Sequence, residues 1–306
     1  MSGILKIKEA FAGVFRHIHI SLIPNKKDNL KQIALKLIYN ITFIALIIIF
    51  ICFSSFFGIE QKELSVIKES QEIWNSDIGT EEKTDILKKQ NSDFAGWIRI
   101  SGTSIDNPIY QTDNNSYYLS FNQNKKSDSH GAVFFDCNNN VKNDSNLILY
   151  GYNSPDGMIF GDLDKYRSII FYRENPTVEL STLYNNDTYK IFAVFVLNSK
   201  KEDDNGHILN ISRNSFINIE DFNLWKEEIY ERSLYDTGVD LEQNDKIITL
   251  VTDSDDFESS RLIVMARAVR DDEDFTDNTA TASTKNNVRY PAAWYKQRGT
   301  VNPFEK

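Results

Sequence analysis

At 306 residues, 41% of them hydrophobic and 25% charged, the chain is long enough for one domain of about 200 residues plus appendages. Its net charge of −10 leaves nothing to neutralise phosphates and excludes nucleic acid as a partner. Two cysteines exclude a disulfide framework, since Cys52 lies in an apolar run and Cys137 in the polar remainder.

Residues 1–36 hold seven basic residues (Lys6, Lys8, Arg16, Lys26, Lys27, Lys31, Lys36) against two acidic ones (Glu9, Asp28), a balance of +5 that leaves −15 for the rest. Phe11, Val14, Phe15, Ile18, Ile20 and Leu22 among these bases suit contact with an anionic leaflet, although a plain topogenic flank needs no such contact. From Leu37 to Ile59 run 23 residues without a charge. As a helix they would extend about 35 Å, enough to cross a bilayer. The run is longer than a signal-peptide core and no small-x-small cleavage site follows, so it reads as an uncleaved signal anchor. The charge bias keeps the N-terminus cytoplasmic and places the acidic domain outside, at the cell membrane.

Residues 60–92 read as helical, with Leu64, Ile67, Ile73, Trp74, Ile86 and Leu87 spaced among charges. Eight strand-like runs follow: Gly96–Ile100, Ile105–Tyr110, Ala132–Asp136, Asn146–Gly151, Thr177–Leu183, Tyr189–Asn198, Lys246–Thr252 and Arg261–Val269. Short helices are expected at Asn115–Ser120, Met158–Tyr166 and Glu220–Ser233. Eight strands with Asn/Asp/Gly turns predict a mainly β domain over 60–270, closed as a barrel. Past Arg270 the composition turns polar, which predicts a flexible tail over 271–306. A random coil over 271–288 would span about 23 Å. At its end, Tyr290, Trp294, Tyr295 and Phe304 alternate with Arg289, Lys296, Arg298 and Lys306, a composition suited to docking on protein.

The most informative segment is Ile247-Ile248-Thr249-Leu250-Val251-Thr252-Asp253, followed after an acidic loop by Arg261-Leu262-Ile263-Val264. A carboxylate closes one strand and an arginine opens the next, so both reach one sheet edge. The pattern resembles the last two barrel strands of the sortases, cell-wall transpeptidases of Gram-positive bacteria, where the first strand ends in the nucleophilic cysteine. Asn146-Leu147-Ile148-Leu149-Tyr150-Gly151-Tyr152-Asn153, continuing through Asp156-Gly157 to Met158-Ile159-Phe160-Gly161-Asp162-Leu163, resembles the class B run that carries the catalytic histidine. Phe94-Ala95-Gly96-Trp97-Ile98, Gly102–Pro108 and Ser233–Val239 extend the resemblance, which is co-linear from Ser65 to Val269. It implies an eight-stranded sortase-type barrel with N-terminal and short peripheral helices, preceded by one transmembrane helix, and no cofactor. It also implies that Asp253 stands at the cysteine position and Tyr152 at the histidine position, with the arginine kept as Arg261. The groove would be formed by Val251, Thr252 and Arg261, with Val251 replacing a serine.

Sortase chemistry needs a thiolate nucleophile, an imidazole to protonate the departing amine, and an arginine to steady the oxyanion. Asp253 would give an anhydride instead of a thioester, and a tyrosine, ordinarily titrating near 10, is badly poised for proton exchange. Transpeptidation is therefore expected to be lost. No other pair is expected to take over, because a strand over 131–136 would hold His130 and Cys137 about 20 Å apart, and His207 lies in a charged loop. Asp253, Arg261 and the Tyr152 hydroxyl are expected to form a salt-bridged plug. The alternative is a cation cluster of Asp253, Asp255, Asp256 and Glu258, although an EF-hand would need glycine where Glu258 stands. The expected function is binding or scaffolding in surface-protein or pilus anchoring, with sorting-signal peptides, surface proteins or an active sortase as partners. The rival readings are a sortase-type transpeptidase with unorthodox catalytic residues and a purely structural ectodomain.

Overall fold

The computed structural model describes residues 23–271, 273–276 and 279–305. The expected leaflet contacts of residues 11–22 lie outside the described residues. Two compact units divide the chain, Met1–Lys62 and Glu63–Lys306.

Helix α1, Leu30–Trp74, runs through the first unit into the second. It starts at a reciprocal cap: the Gln32 N–H donates to Asn29 Oδ1 at 2.9 Å, and the Asn29 N–H donates to Gln32 Oε1 at 3.0 Å. This cap lets the helix begin before the uncharged run, so the stretch long and apolar enough to cross a membrane is Leu30–Ser54. None of its side chains is buried against protein.

In the second unit the end of α1 and helix α2, Thr80–Gln90, cover one side of the barrel. Trp74 stacks on Trp97 at 4.9 Å, Gln71 donates to the Asp106 carbonyl at 2.8 Å, and Leu87 is buried. The strands are β1 (Phe94–Arg99), β2 (Asp106–Tyr110), β3 (Val133–Phe135), β4 (Asn146–Tyr150), β5 (Thr177–Thr182), β6 (Asn186–Asn198), β7 (Tyr235–Asp236), β8 (Ile247–Asp253) and β9 (Ser260–Ala268). Eight of these close into a barrel in the order β1-β2-β3-β4-β8-β9-β6-β5. Every expected strand is present, with ends within two residues of expectation except at β6, which starts three residues earlier than expected. Neighbours are antiparallel except β2–β3 and β4–β8, which are parallel.

Period-two alternation explains why β8 is apolar throughout. Ile248 and Leu250 join Leu149, Leu262 and Val264 in one core cluster. Ile247 and Val251 join Ile148, Ile263 and Met265 in a second, under Phe222, Trp225 and Ile229 of helix α4. That helix spans Ile219–Arg232 and is capped by Asn218, whose side chain accepts the Asp221 N–H at 2.8 Å. Helix α3, Ile169–Glu174, was not expected; Tyr172 is its one buried residue, too short an apolar pattern to show a period. The expected helices at 115–120 and 158–166 are 3-10 turns at Tyr117–Leu119 and Gly161–Arg167.

The sequence reading placed a flexible tail over 271–306, whereas the structure ties it down at several points. Glu273 accepts from Lys190 at 2.6 Å and from Arg267 at 2.6 and 2.8 Å. Strand β10, Ser283–Thr284, pairs with β7, and Ala282 is buried in the barrel core. Lys285 donates to the Tyr230 carbonyl, Arg289 pairs with Glu231 at 3.2 Å, and helix α5 spans Ala292–Arg298. The segment lacks a hydrophobic period because a core built elsewhere supplies its partners.

Candidate functional site

The antiparallel ladder of β8 and β9 puts Asp253 opposite Arg261, and their side chains form an ion pair through Oδ1 and Nη1. Both are about half exposed. The parallel β4 lies on the other side of β8, with Tyr150 beside Val251. The buried Thr252 hydroxyl donates to the Gly151 carbonyl at 2.8 Å, and Asn153 Nδ2 donates to the Asp253 carbonyl at 3.0 Å. These bonds bring Tyr152, a hundred residues away in sequence, to the same end of the barrel as Asp253.

Two clefts open there. A polar one of about 640 Å³ is lined by Tyr152, Asn153, Asp156, Asp162, Asp164, Lys165, Asp253 and Asp255, among others. An apolar one of about 490 Å³ is lined by Leu119, Phe134, Tyr150, Leu197, Ile208, Val251 and Ile263, with Arg261 and Asn115 as polar edges. Asp253 thus faces the polar cleft and Arg261 the apolar one, so the ion pair stands where the two adjoin. Of the expected groove residues, Val251 and Arg261 line the apolar cleft, while Thr252 lies buried beside it. The Tyr152 hydroxyl bonds to neither Asp253 nor Arg261, and the expected three-membered plug is a two-membered pair. Tyr152 is 40% exposed and is fixed only through its backbone, whose carbonyl accepts from Ser154 and Phe160 N–H at 3.0 and 3.1 Å.

The loop behind Tyr152 is tight. A Cβ on Gly151 would come within 2.7 Å of the Phe160 ring, so no larger residue fits. Ile159 is held at φ +54°, a left-handed conformation that a β-branched residue adopts only when its surroundings force it. Ser259, in the loop joining β8 to β9, is held at φ +70°.

That loop does not assemble the expected cation cluster. Asp253 is taken by Arg261, Glu258 is 94% exposed and reaches only Lys200 at 3.4 Å, and Asp255 projects into the polar cleft. Asp256 is buried and accepts from Ser254 Oγ at 2.6 Å, Arg167 at 2.7 Å, Arg298 at 3.1 Å and the Trp294 indole at 3.3 Å. Burial would raise its pKa, but the Ser254 hydrogen bond and the two guanidinium groups outweigh burial and hold it below the ordinary carboxylate value. Four carboxylates with four different commitments cannot share one ion. Among the described residues no group of three or more His, Cys, Asp or Glu is placed to hold a metal.

Two further groups have partners that the sequence does not reveal. His130 lies 3.4 Å from Asp128 and 3.1 Å from Asp156, itself a lining residue of the polar cleft. Tyr150 roofs the apolar cleft and donates to Asp136 at 3.1 Å; burial and that carboxylate push its pKa well up, so it remains a neutral donor. Tyr150 belongs to the Asn146–Asn153 run and His130 is weighed against Cys137, but spacing along the chain does not reveal the carboxylates they meet. Cys137 is partly exposed, with its N–H on Asn115 Oδ1 at 2.7 Å, and shares no hydrogen bond with either imidazole. His207 is bonded to Glu228 at 2.6 Å.

Against known proteins, the model of the sortase domain family matches residues 98–269, more than half of the chain. Sortase B of Listeria monocytogenes is 34% identical over 186 residues, 60% of this chain and 72% of that protein. Sortase B of Staphylococcus aureus is 29% identical over 187 residues, 60% of this chain and 73% of that protein. Among solved structures, a Staphylococcus aureus sortase B–substrate complex superposes with a TM-score of 0.61 at 25% identity, covering 69% of this chain and 98% of that one.

Proposed function

This chain belongs to the sortase family, with class B members among its relatives, and on that premise we propose that it is a membrane-anchored, catalytically silent class B sortase-like protein that binds instead of cleaving. The observation carrying this reading is the Asp253–Arg261 ion pair. The position to which the resemblance assigns the nucleophile holds a carboxylate, and that carboxylate already occupies the arginine assigned to steady an oxyanion. Tyr152 at the histidine position has no hydrogen-bonded partner that would make it a proton relay.

The apolar cleft supports retention of an extended-peptide site, with Val251 and Ile263 as its floor. A solved relative is a sortase B–substrate complex, which makes sorting-signal peptides the first class of ligand to try. Surface proteins or an active sortase are the partners to which such binding would lead in wall or pilus anchoring. The apolar helix and the basic segment before it support a single span with the N-terminus cytoplasmic and the domain outside. The test uses the full chain in detergent micelles with fluorescein-labelled Asn-Pro-x-Thr-x pentapeptides. Saturable anisotropy without cleavage or transfer by mass spectrometry is expected. Turnover that vanishes in Asp253→Ala would replace this reading with that of an enzyme using unorthodox residues.

A further inference from the structure

The segment 283–298 lies beyond the family-matched residues 98–269, yet it ends on the loop that joins Asp253 to Arg261. Residues 254–259 form that loop. Internally it is closed by Ser254 and Ser260, whose backbones bond at 3.1 Å. Its centre is held from outside through Asp256. Of the four donors on this buried carboxylate, Ser254 belongs to the loop and Arg167 to the barrel side, while Trp294 and Arg298 come from α5. Arg298 also donates to the Asp256 carbonyl at 3.2 Å and lies 4.1 Å over the Trp294 ring, which in turn stacks on Tyr290 at 4.0 Å. An aromatic–cation stack is rigid, and its charge is directed onto one carboxylate. The rest of the segment is tied independently of the loop, by β10 on β7 and by the Ala292 N–H on Asp204 Oδ1 at 3.0 Å.

We propose that the C-terminal segment 283–298 is an intramolecular strap that clamps the 254–259 loop through Asp256, and so fixes the Asp253–Arg261 pair at the edge of the apolar cleft. Its link to ligand binding rests on the reading of that cleft as a peptide site. With the strap seated, the loop is ordered before a ligand arrives and Arg261 stays at the cleft edge. With α5 lifted, Asp256 retains only Ser254 and Arg167, and it loses two of its three donors from outside the loop. Anything that competes for Trp294 and Arg298, or removes them by cleavage, would then change what the cleft binds.

The test compares the full chain with Trp294→Ala/Arg298→Ala, using Lys296→Ala on the exposed side of α5 as control. Hydrogen exchange should become about tenfold faster at amides 254–260 in the double variant and stay unchanged in the barrel strands and in the control. Affinity for the labelled pentapeptide should fall several-fold. Should the double variant unfold, Arg298→Gln keeps the aromatic stack and carries the same expectation for the loop. Unchanged exchange at 254–260 in a folded variant overturns the strap, even if the wild type binds peptide. If exchange responds but the wild type binds no peptide, the strap stands and the peptide reading falls.

Discussion

Asp253 and Asp256 are three residues apart, carry the same chemistry and are put to opposite uses. Asp253 pairs with Arg261 in a half-exposed position, where water competes for both charges and an ion pair is worth about 1 kcal/mol or less. Asp256 is buried and accepts from two partly exposed guanidinium groups, and removing it leaves Arg298 without a carboxylate and Arg167 with Asp164 alone. Asp253→Ala should therefore lower stability by less than about 1 kcal/mol, and Asp256→Ala by about 2 kcal/mol. Urea titration of the two variants checks the order, and a larger loss for Asp253→Ala would mean that the exposed pair is worth more than its setting implies. On the proposed assignment of the catalytic positions, the double substitution Tyr152→His and Asp253→Cys should give at most weak transpeptidation in a peptide-transfer assay. Catalytic groups must be held within a fraction of an ångström, and the side chain at 152 has no hydrogen bond to orient it. Full activity would show the surrounding groups still arranged for catalysis.

At the level of elements, the tail illustrates how a segment without a core of its own becomes ordered. Its first anchor is Glu273, whose carboxylate receives Lys190 and Arg267, both buried at the end of β6 and β9. The Arg267 hydrogen bond is the largest influence, and with Lys190 it draws the Glu273 pKa down from 4.5 to about 2. A carboxylate with a depressed folded-state pKa contributes stability that is fully present above its unfolded value. That contribution should fade as pH drops from about 4.5 through about 2. The thermal midpoint of the wild type should fall over this window more steeply than that of Glu273→Gln, measured in parallel scans from pH 5 to 2. Parallel curves would show that Glu273 does not anchor the tail.

At the level of the whole molecule, the charge divides sharply, +5 over residues 1–36 and −15 over residues 37–306. The proposed topology follows from that division, because basic flanks are retained on the cytoplasmic side. The full chain should sediment with membranes, resist carbonate extraction and dissolve only in detergent. Protease added to intact cells should degrade the barrel domain but leave an N-terminal fragment. Release by carbonate would mean that the helix does not span the bilayer.

The sequence by itself determined the barrel strands, the apolar helix and the identities of Tyr152, Asp253 and Arg261. Each is a local property: a β-branched run with period two, an uncharged stretch of membrane length, or a residue type at a fixed place in a motif. The Asp253–Arg261 pairing was legible too, since two adjacent antiparallel strands leave little choice of register. Only the tertiary structure decided where the carboxylates of the acidic loop point. Asp256 finds three of its four donors 38 to 89 residues away, and such distances leave no trace in spacing. The tail was misread for the same reason, because its polar composition is that of a free chain unless a surface formed elsewhere meets each of its groups. Tyr152 lies at the same end of the barrel as Asp253, but its hydroxyl does not join the ion pair. Backbone pairing fixes an address, but the packing around Gly151 and Ile159 sets which way a side chain turns.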